Sequence, residues 1–248
     1  MCIRDRAILG MSFLTQAIKL EHALTLLETQ GITILENYWK KIREKRSNSD
    51  RRIANNKEIS AAMSLTKKLF LAGSKHPKID SLCNIVKEQL HENPESRIII
   101  FANYRDSVKE IVSVLNGIDG VRPIEFIGQR EGMTQKEQAR RLNGFKDGRY
   151  NVLVGTSVSE EGLDIVSSTL AIFFEPVVSP LRSIQRRGRV GRITPGKVIV
   201  LITKGTRDEA YHWVSLRKEK KMKGIIYGMK SDSVNKERQT DLKGFRST

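Results

Sequence analysis

The strongest chemical signal in the chain is the arginine-rich string QRRGRVGR at Gln185–Arg192. If this segment is helical, Arg189 and Arg192 lie on one face, and the glycines Gly188 and Gly191 add little bulk beside them. Two guanidinium groups on one face form a fork that suits a polyphosphate ligand. Taken alone, such a string would more often be a solvated basic helix.

A second string, LVGTSVSEEGLDI, begins as an apolar strand and ends in a turn. This pattern places Thr156, Ser157, Gly162 and Asp164 at the carboxyl end of a parallel strand. Open α/β sheets bind their ligands at that edge. The two strings together therefore predict a ligand site that combines strand ends with arginines.

From His76 onward the spacing of apolar residues alternates between that of helices and that of strands. These helices and strands must hold the candidate residues in place. Strands buried on both faces read as unbroken Ile/Val runs, which a parallel sheet between helices requires. The sequence thus predicts a three-layer α/β domain. Its predicted strands lie within Arg97–Ala102, Val121–Ile127, Asn151–Gly155, Thr169–Phe174 and Lys197–Ile202.

The preceding segment, from Met11 to about Leu71, has a helical pattern throughout. We expect a first helix with Leu20, Leu24 and Leu27 on one face, ended by a glycine. Further helices are expected through Ile34, Tyr38 and Ile42, and across Ile53–Leu71, with the break between the first two at Gly31.

The formal net charge of +16 is concentrated in three stretches. Lys40–Arg52, Arg182–Arg192 and Arg217–Thr248 carry net charges of +5, +5 and +6, which account for the whole excess. Concentrated positive charge favours a polyanion partner, nucleic acid before an anionic membrane. The basic run in the first stretch is equally compatible with a solvated helix face.

The cysteines and the hydropathy of the sequence narrow the classes of protein to which the chain can belong. Cys2 and Cys83 have no nearby cysteine or histidine partner, so no metal site is expected and a reducing, cytoplasmic compartment is favoured. The apolar runs are far shorter than the roughly 20 residues that span a bilayer, so no membrane partner is expected. The first ten residues fit no predicted element and are left unassigned.

Together with IIIFANYRDS, the two strings match motifs IV, V and VI of superfamily 2 helicases in order and approximate spacing. The sequence further resembles that of the archaeal Hef helicase and of its eukaryotic relative FANCM. The strings that carry this resemblance are HPKID, YRDSV, GMTQKEQ, TSVSEEGLD, EPV, RSIQRRGRVGR and GTRDEAYHW. The resemblance implies a RecA-like helicase C-terminal lobe at 73–227. A helical insertion, which we expect to be incomplete, would precede it at 11–72, and a basic polar tail would follow it at 228–248.

The resemblance also implies a role for each matching residue. Arg189 and Arg192 would be arginine fingers on the γ-phosphate of ATP, and Gln185 would couple the nucleotide state to the lobe interface. Gly162 and Asp164 would bind the nucleotide. The expected contacts to the nucleic-acid backbone are Thr156, Arg105, Ser157 and Gln129.

Two departures from the family pattern matter. The loop between Gly128–Gln129 and Gly132–Met133 is shorter than usual, which weakens the expectation of strand contacts there. No GxxxxGK[ST] phosphate loop and no magnesium-binding acidic motif occurs in the sequence. DEAY at Asp208–Tyr211 follows motif VI, where acids at a helix N-terminus explain it better. We therefore expect a fragment that is inactive without a first RecA-like lobe, in cis or in trans, carrying the Mg²⁺ ligands.

Three functions stay open at this stage. The first, which the resemblance favours, is an ATP-dependent DNA helicase or translocase for forked or branched DNA in replication-fork repair, associated with a prokaryotic or archaeal nucleoid. The second is an RNA helicase lobe of the RIG-I or Dicer type, and the third is a nucleic-acid-binding module without ATPase activity. The tail segment QTDLKGF partly resembles a sliding-clamp-binding peptide with anchors Gln239, Leu242 and Phe245, although Arg246 replaces the usual second aromatic.

Overall fold

The computed structural model describes residues 3–45, 47–128, 133–156, 168–176 and 196–221, with side chains from residue 10 onward. A bundle of helices comes first, and an α/β lobe follows it. Among the described helices, none combines the length and the apolar character that crossing a bilayer would need.

Four helices form the N-terminal bundle: α1 (Ile3–Thr29), α2 (Ile32–Glu44), α3 (Asn48–Asn55) and α4 (Lys57–Leu71). Their buried side chains make one apolar cluster. Its members are Ala23, Leu26, Ile34, Leu35, Trp39, Ile42, Ile53 and Met63.

Two details of the predicted bundle are wrong. Leu24 and Leu27 are 47% and 44% exposed, because the face of α1 that meets α2 and α3 carries Ala23 and Leu26 instead. The single helix predicted across 53–71 is two helices. Asn56 separates them, since its side chain accepts a hydrogen bond from the Ile59 N–H at 3.1 Å and caps α4.

The predicted break between the first two helices is confirmed at Gly31. Its φ of +104° lies in the left-handed region, which glycine tolerates best. A Cβ added there would lie only 2.8 Å from the His76 Cβ. The turn that ends α1 thus needs glycine both for its backbone angle and for the close approach of the lobe.

The lobe begins with α5 (Pro77–Glu92) and continues with alternating strands and helices. These are β1 (Ile98–Phe101), α6 (Arg105–Leu115), β2 (Pro123–Phe126), α7 (Gln135–Lys146), β3 (Val152–Gly155), β4 (Leu170–Phe173) and β5 (Lys197–Val200). A last helix, α8, covers residues 207–221. All five strands pair in parallel in the order β2-β3-β1-β4-β5.

The sheet is covered on both faces, as its Ile/Val-rich strands require. In β1, Ile98 and Ile100 join the apolar cluster that contains α5 and α6, whereas Ile99 and Phe101 join the cluster of α7. The three central strands are fully buried, and β2 and β5 lie at the two edges. The three-layer RecA-like fold predicted from the sequence is confirmed.

Candidate functional site at the carboxyl edge of the sheet

The carboxyl ends of the strands lie side by side along one edge of the sheet. In the parallel register Phe101 of β1 stands opposite Gly155 of β3 and Phe173 of β4. Hydrogen bonds continue the register one residue further, since the Ala102 N–H donates to the Gly155 carbonyl at 3.0 Å. The residues that follow these strands are therefore neighbours, although they are far apart in sequence.

Two of the predicted contact residues lie on this edge. Thr156 follows β3 directly, is buried, and its N–H donates to the Phe126 carbonyl at 3.2 Å. Arg105 is the first residue of α6 and its side chain is exposed. Because β1 pairs with β3, the structure brings the loop before Arg105 next to Thr156. An exposed guanidinium at a helix N-terminus is well placed to meet a phosphate group.

The other predicted residues lie outside the described parts of the chain. They are Gln129, Ser157, Gly162, Asp164, Gln185, Arg189 and Arg192, together with the tail anchors Gln239, Leu242 and Phe245.

Glu175, the first polar residue after β4, has no role predicted from the sequence. Its Oε2 atom accepts a hydrogen bond from the Asn103 N–H at 3.0 Å, so it ties the end of β4 to the loop after β1. The side chain is buried, and Oε1 accepts no hydrogen bond from the residues that the structure describes. Loss of hydration raises the pKa of Glu175 to about 7, although the charge of Lys78 opposes the rise.

Lys78 and Asp208 form a buried ion pair close to Glu175 that the sequence did not predict. Their side chains are 5% and 1% exposed. The Asp208 carboxylate also accepts a hydrogen bond from the Thr203 N–H at 3.2 Å. Asp208 lies in the first turn of α8, which agrees with the structural interpretation of DEAY. A polar residue directly after a buried strand, as in EPV, is the signal that could have drawn attention to Glu175.

Within the described residues, no group of three or more His, Cys, Asp or Glu side chains converges as a metal site. The carboxylates at this edge bind an ammonium group and backbone N–H groups instead. The described edge thus contributes polar contacts and an exposed cation, Arg105.

Comparison with known families and proteins places both parts of the chain. Residues 77–194 match the family described as "Helicase conserved C-terminal domain". Residues 7–73 match the one described as "Putative ATP-dependent RNA helicase, helical bundle".

Several relatives match most of the chain. A Methanocaldococcus jannaschii protein named "Putative ATP-dependent RNA helicase MJ1505" is 46% identical over 87% of this chain, which spans 28% of that protein. The "DEAD-box ATP-dependent RNA helicase FANCM" of Arabidopsis thaliana is 36% identical over 88% of the chain, which spans 16% of it. The "ATP-dependent DNA helicase MPH1" of Pyricularia oryzae is 35% identical over 88% of the chain, which spans 21% of it.

A solved structure agrees with these relatives. The crystal structure of the Pyrococcus furiosus Hef helicase domain superposes with a TM-score of 0.66 at 46% identity. The match covers 82% of this chain and 43% of the Hef chain. The chain therefore spans less than a third of the length of the three named relatives and less than half of the Hef chain. It belongs to the Hef/FANCM-like superfamily 2 helicases and contains the helical bundle and the helicase C-terminal domain of that family.

Proposed function

We propose that the chain is the second RecA-like lobe, with its helical bundle, of an ATP-dependent helicase or translocase that acts on forked or branched DNA. The observation that carries the proposal is the placement of Thr156 and Arg105 on neighbouring strand ends. From the ends of β3 and β4 the chain enters the segments that hold Asp164 and Arg192, the residues that motifs V and VI assign to ATP.

The nucleotide site is completed in this proposal by a partner lobe. ATP and Mg²⁺ need a phosphate loop and acidic ligands, and the sequence contains neither motif. The chain would supply arginines that stabilise the charge on the transferring phosphoryl group, and a first lobe, in cis or in trans, would supply the rest.

The choice of DNA over RNA rests on the resemblance to Hef, whereas the names of the relatives include both DNA and RNA helicases. A competition experiment separates the two. Unlabelled forked DNA should displace labelled forked DNA from the chain at a lower concentration than forked RNA of the same sequence does. Preferential displacement by RNA would instead favour a lobe of the RIG-I or Dicer type.

The test of the proposal is nucleic-acid-stimulated ATP hydrolysis by the chain alone and after mixing with the purified first lobe of Pyrococcus furiosus Hef. We expect no hydrolysis by the chain and hydrolysis above that of the first lobe on mixing. Binding of forked DNA without hydrolysis in either sample would favour a binding module without ATPase activity.

Arg105 provides a specific prediction for DNA binding. Arg105→Ala should weaken the binding of forked DNA severalfold whatever its sequence, and it should reduce the slope of log K against log salt by about 1, as the loss of one phosphate contact does. The matched control is Arg149→Ala, because Arg149 is an exposed arginine that precedes β3 at the opposite edge of the sheet. Fluorescence anisotropy titrations at several salt concentrations measure both effects. Equal effects of the two variants would remove Arg105 from the binding site.

A further inference from the structure

A buried lysine joins the helical bundle to the lobe. Lys78, in the first turn of α5, pairs with Asp208 of α8, and its Nζ donates to the Thr29 carbonyl at the end of α1 at 3.2 Å. The same ammonium lies 5.4 Å from the centre of the Phe174 ring, at the end of β4. One cation thus contacts the bundle, the carboxyl edge of the sheet and the last helix.

Two further polar side chains complete this arrangement. Gln30 follows α1, and its Oε1 accepts a hydrogen bond from the Ser107 hydroxyl of α6 at 2.8 Å. Glu175 lies within the field of the Lys78 charge and near the Gln30 amide, and both stabilise its ionised form. We call Gln30, Lys78, Glu175 and Asp208 the junction cluster. All four side chains are buried.

The junction cluster brackets Arg105 on both sides. Glu175 accepts a hydrogen bond from the N–H of Asn103, two residues before Arg105. Gln30 binds the hydroxyl of Ser107, two residues after it. The loop and helix start that present the exposed guanidinium are therefore held by groups that also contact the bundle.

The rest of the junction between α2 and α6 is polar as well. Thr33 donates to Glu110 at 3.0 Å, and the Asn37 amide donates to Asp106 at 3.2 Å. In contrast, the bundle core is a cluster separate from those of the sheet, and among the described apolar side chains of the lobe only Tyr104 packs against it. Polar contacts rather than a shared apolar core therefore set the orientation of the bundle relative to the lobe.

A buried ion pair contributes little to stability when compared with apolar groups of the same shape, because desolvation offsets the attraction. Such pairs can instead select one arrangement among several that are similarly stable. The place of the junction cluster, between two separate cores, suits that second role.

We propose that the junction cluster is a positioning device that holds Arg105 and the exposed basic side chains of the bundle in one mutual orientation, so that both contact the same forked nucleic acid. The basic side chains are Lys40, Lys41, Arg51 and Arg52. The proposal rests on the proposed function for its nucleic-acid partner. Two contact surfaces held in one orientation bind more tightly than the same surfaces free to move, because less conformational freedom is lost on binding. Gln30, Lys78, Glu175 and Asp208 act as positioning residues, and none of them is required to touch the nucleic acid.

The test removes the charges of the cluster and keeps its shape, with the triple variant Lys78→Met, Asp208→Asn, Glu175→Gln. The matched control is Lys19→Met, Asp50→Asn, which removes an ion pair of 2.6 Å within the bundle. Spin labels on cysteines at Lys67 and Lys136, which are exposed positions of bundle and lobe, report the mutual orientation by pulsed dipolar spectroscopy. The labelled background carries Cys2→Ser and Cys83→Ser.

We expect one narrow distance distribution in the parent and in the control, and a broad or divided one in the triple variant. Affinity for forked DNA should fall about tenfold or more in the triple variant only. A narrow distribution in the triple variant, or a broad one with undiminished affinity, would overturn the proposal. Should the triple variant not fold, the double variant Lys78→Met, Asp208→Asn, which removes only the buried ion pair, gives the same two measurements.

Failure of the proposed function looks different from failure of this inference. If the parent binds no forked nucleic acid at all, the proposed function fails together with the affinity part of the inference. The distance distributions would still decide whether the junction cluster fixes the orientation of the bundle.

Discussion

Replacing Arg192 with alanine is expected to lower nucleic-acid-stimulated ATP hydrolysis in the mixture with a first lobe by about 10³-fold or more, the range known for arginine fingers in related nucleotide hydrolases. The reason is electrostatic. Charge accumulates on the oxygens of the transferring phosphoryl group, and a guanidinium held at the lobe interface stabilises it most in the transition state. Steady-state hydrolysis with saturating forked DNA measures the effect.

The matched control for this prediction is Arg186→Ala. Arg186 lies in the same basic string, so its loss removes the same formal charge, but motif VI assigns it no contact with the nucleotide. Arg192→Ala should leave the affinity for forked DNA nearly unchanged, while Arg186→Ala should leave hydrolysis within a few-fold of the parent. If both variants weaken DNA binding alike and neither changes hydrolysis, the string is a binding surface and the arginine-finger role is wrong.

The sheet could be predicted from the sequence because its strands are buried on both faces. Ile98–Phe101 and Leu170–Phe173 have no polar position, and that pattern leaves few alternatives to a strand within a three-layer fold. Of the two predicted edge residues, Thr156 followed from the rule that ligands meet the carboxyl ends of parallel strands, whereas Arg105 was implied by the family resemblance.

The bundle was harder to predict because its helices share their apolar residues between core and surface. Leu24 and Leu27 form as regular a stripe as Ala23 and Leu26, and only packing against α2 and α3 decides which stripe is buried. The split at Asn56 depends on one capping hydrogen bond, a local feature that outweighs the helical period.

The junction cluster could not be predicted because its members are distant in sequence. Lys78 and Asp208 lie 130 positions apart, and each alone looks like a surface charge at a helix start. Their burial follows from the docking of α5, α8 and the end of α1 on one another. The periodicity of apolar residues along the sequence carries no information about such long-range pairing of polar groups.

Titration of Glu175 is expected to make the free energy of unfolding depend strongly on pH. Burial raises the pKa of this carboxyl to about 7 in the folded chain, from an ordinary value of 4.5. Between these two pH values the folded state keeps a proton that the unfolded state has released. The free energy of unfolding must therefore fall as the pH rises through this window, by about 1.4 kcal/mol for each pKa unit, and it must level off above pH 7.

The groups around Glu175 explain why its pKa stays near neutrality. Lys78, the Gln30 amide and the Asn103 N–H favour the carboxylate, whereas desolvation and the charge of Asp208 favour the acid. Desolvation is the largest of these effects. The protonated side chain is uncharged and nearly the same shape as glutamine, which makes Glu175→Gln a close mimic of the low-pH state.

We therefore expect Glu175→Gln and the parent to have similar stability near pH 4.5 and the variant to be more stable by about 3 kcal/mol at pH 8, the free-energy equivalent of the pKa shift. The variant must be compared with the parent at each pH because His76 titrates in both proteins. Burial lowers the pKa of His76, so its titration makes the free energy of unfolding rise with pH below its ordinary pKa of 6.5. Urea titrations at half-unit steps from pH 4.5 to 8 measure the difference. A difference that is constant across this range would show that Glu175 ionises as an exposed glutamate does, and that the junction cluster is open to water.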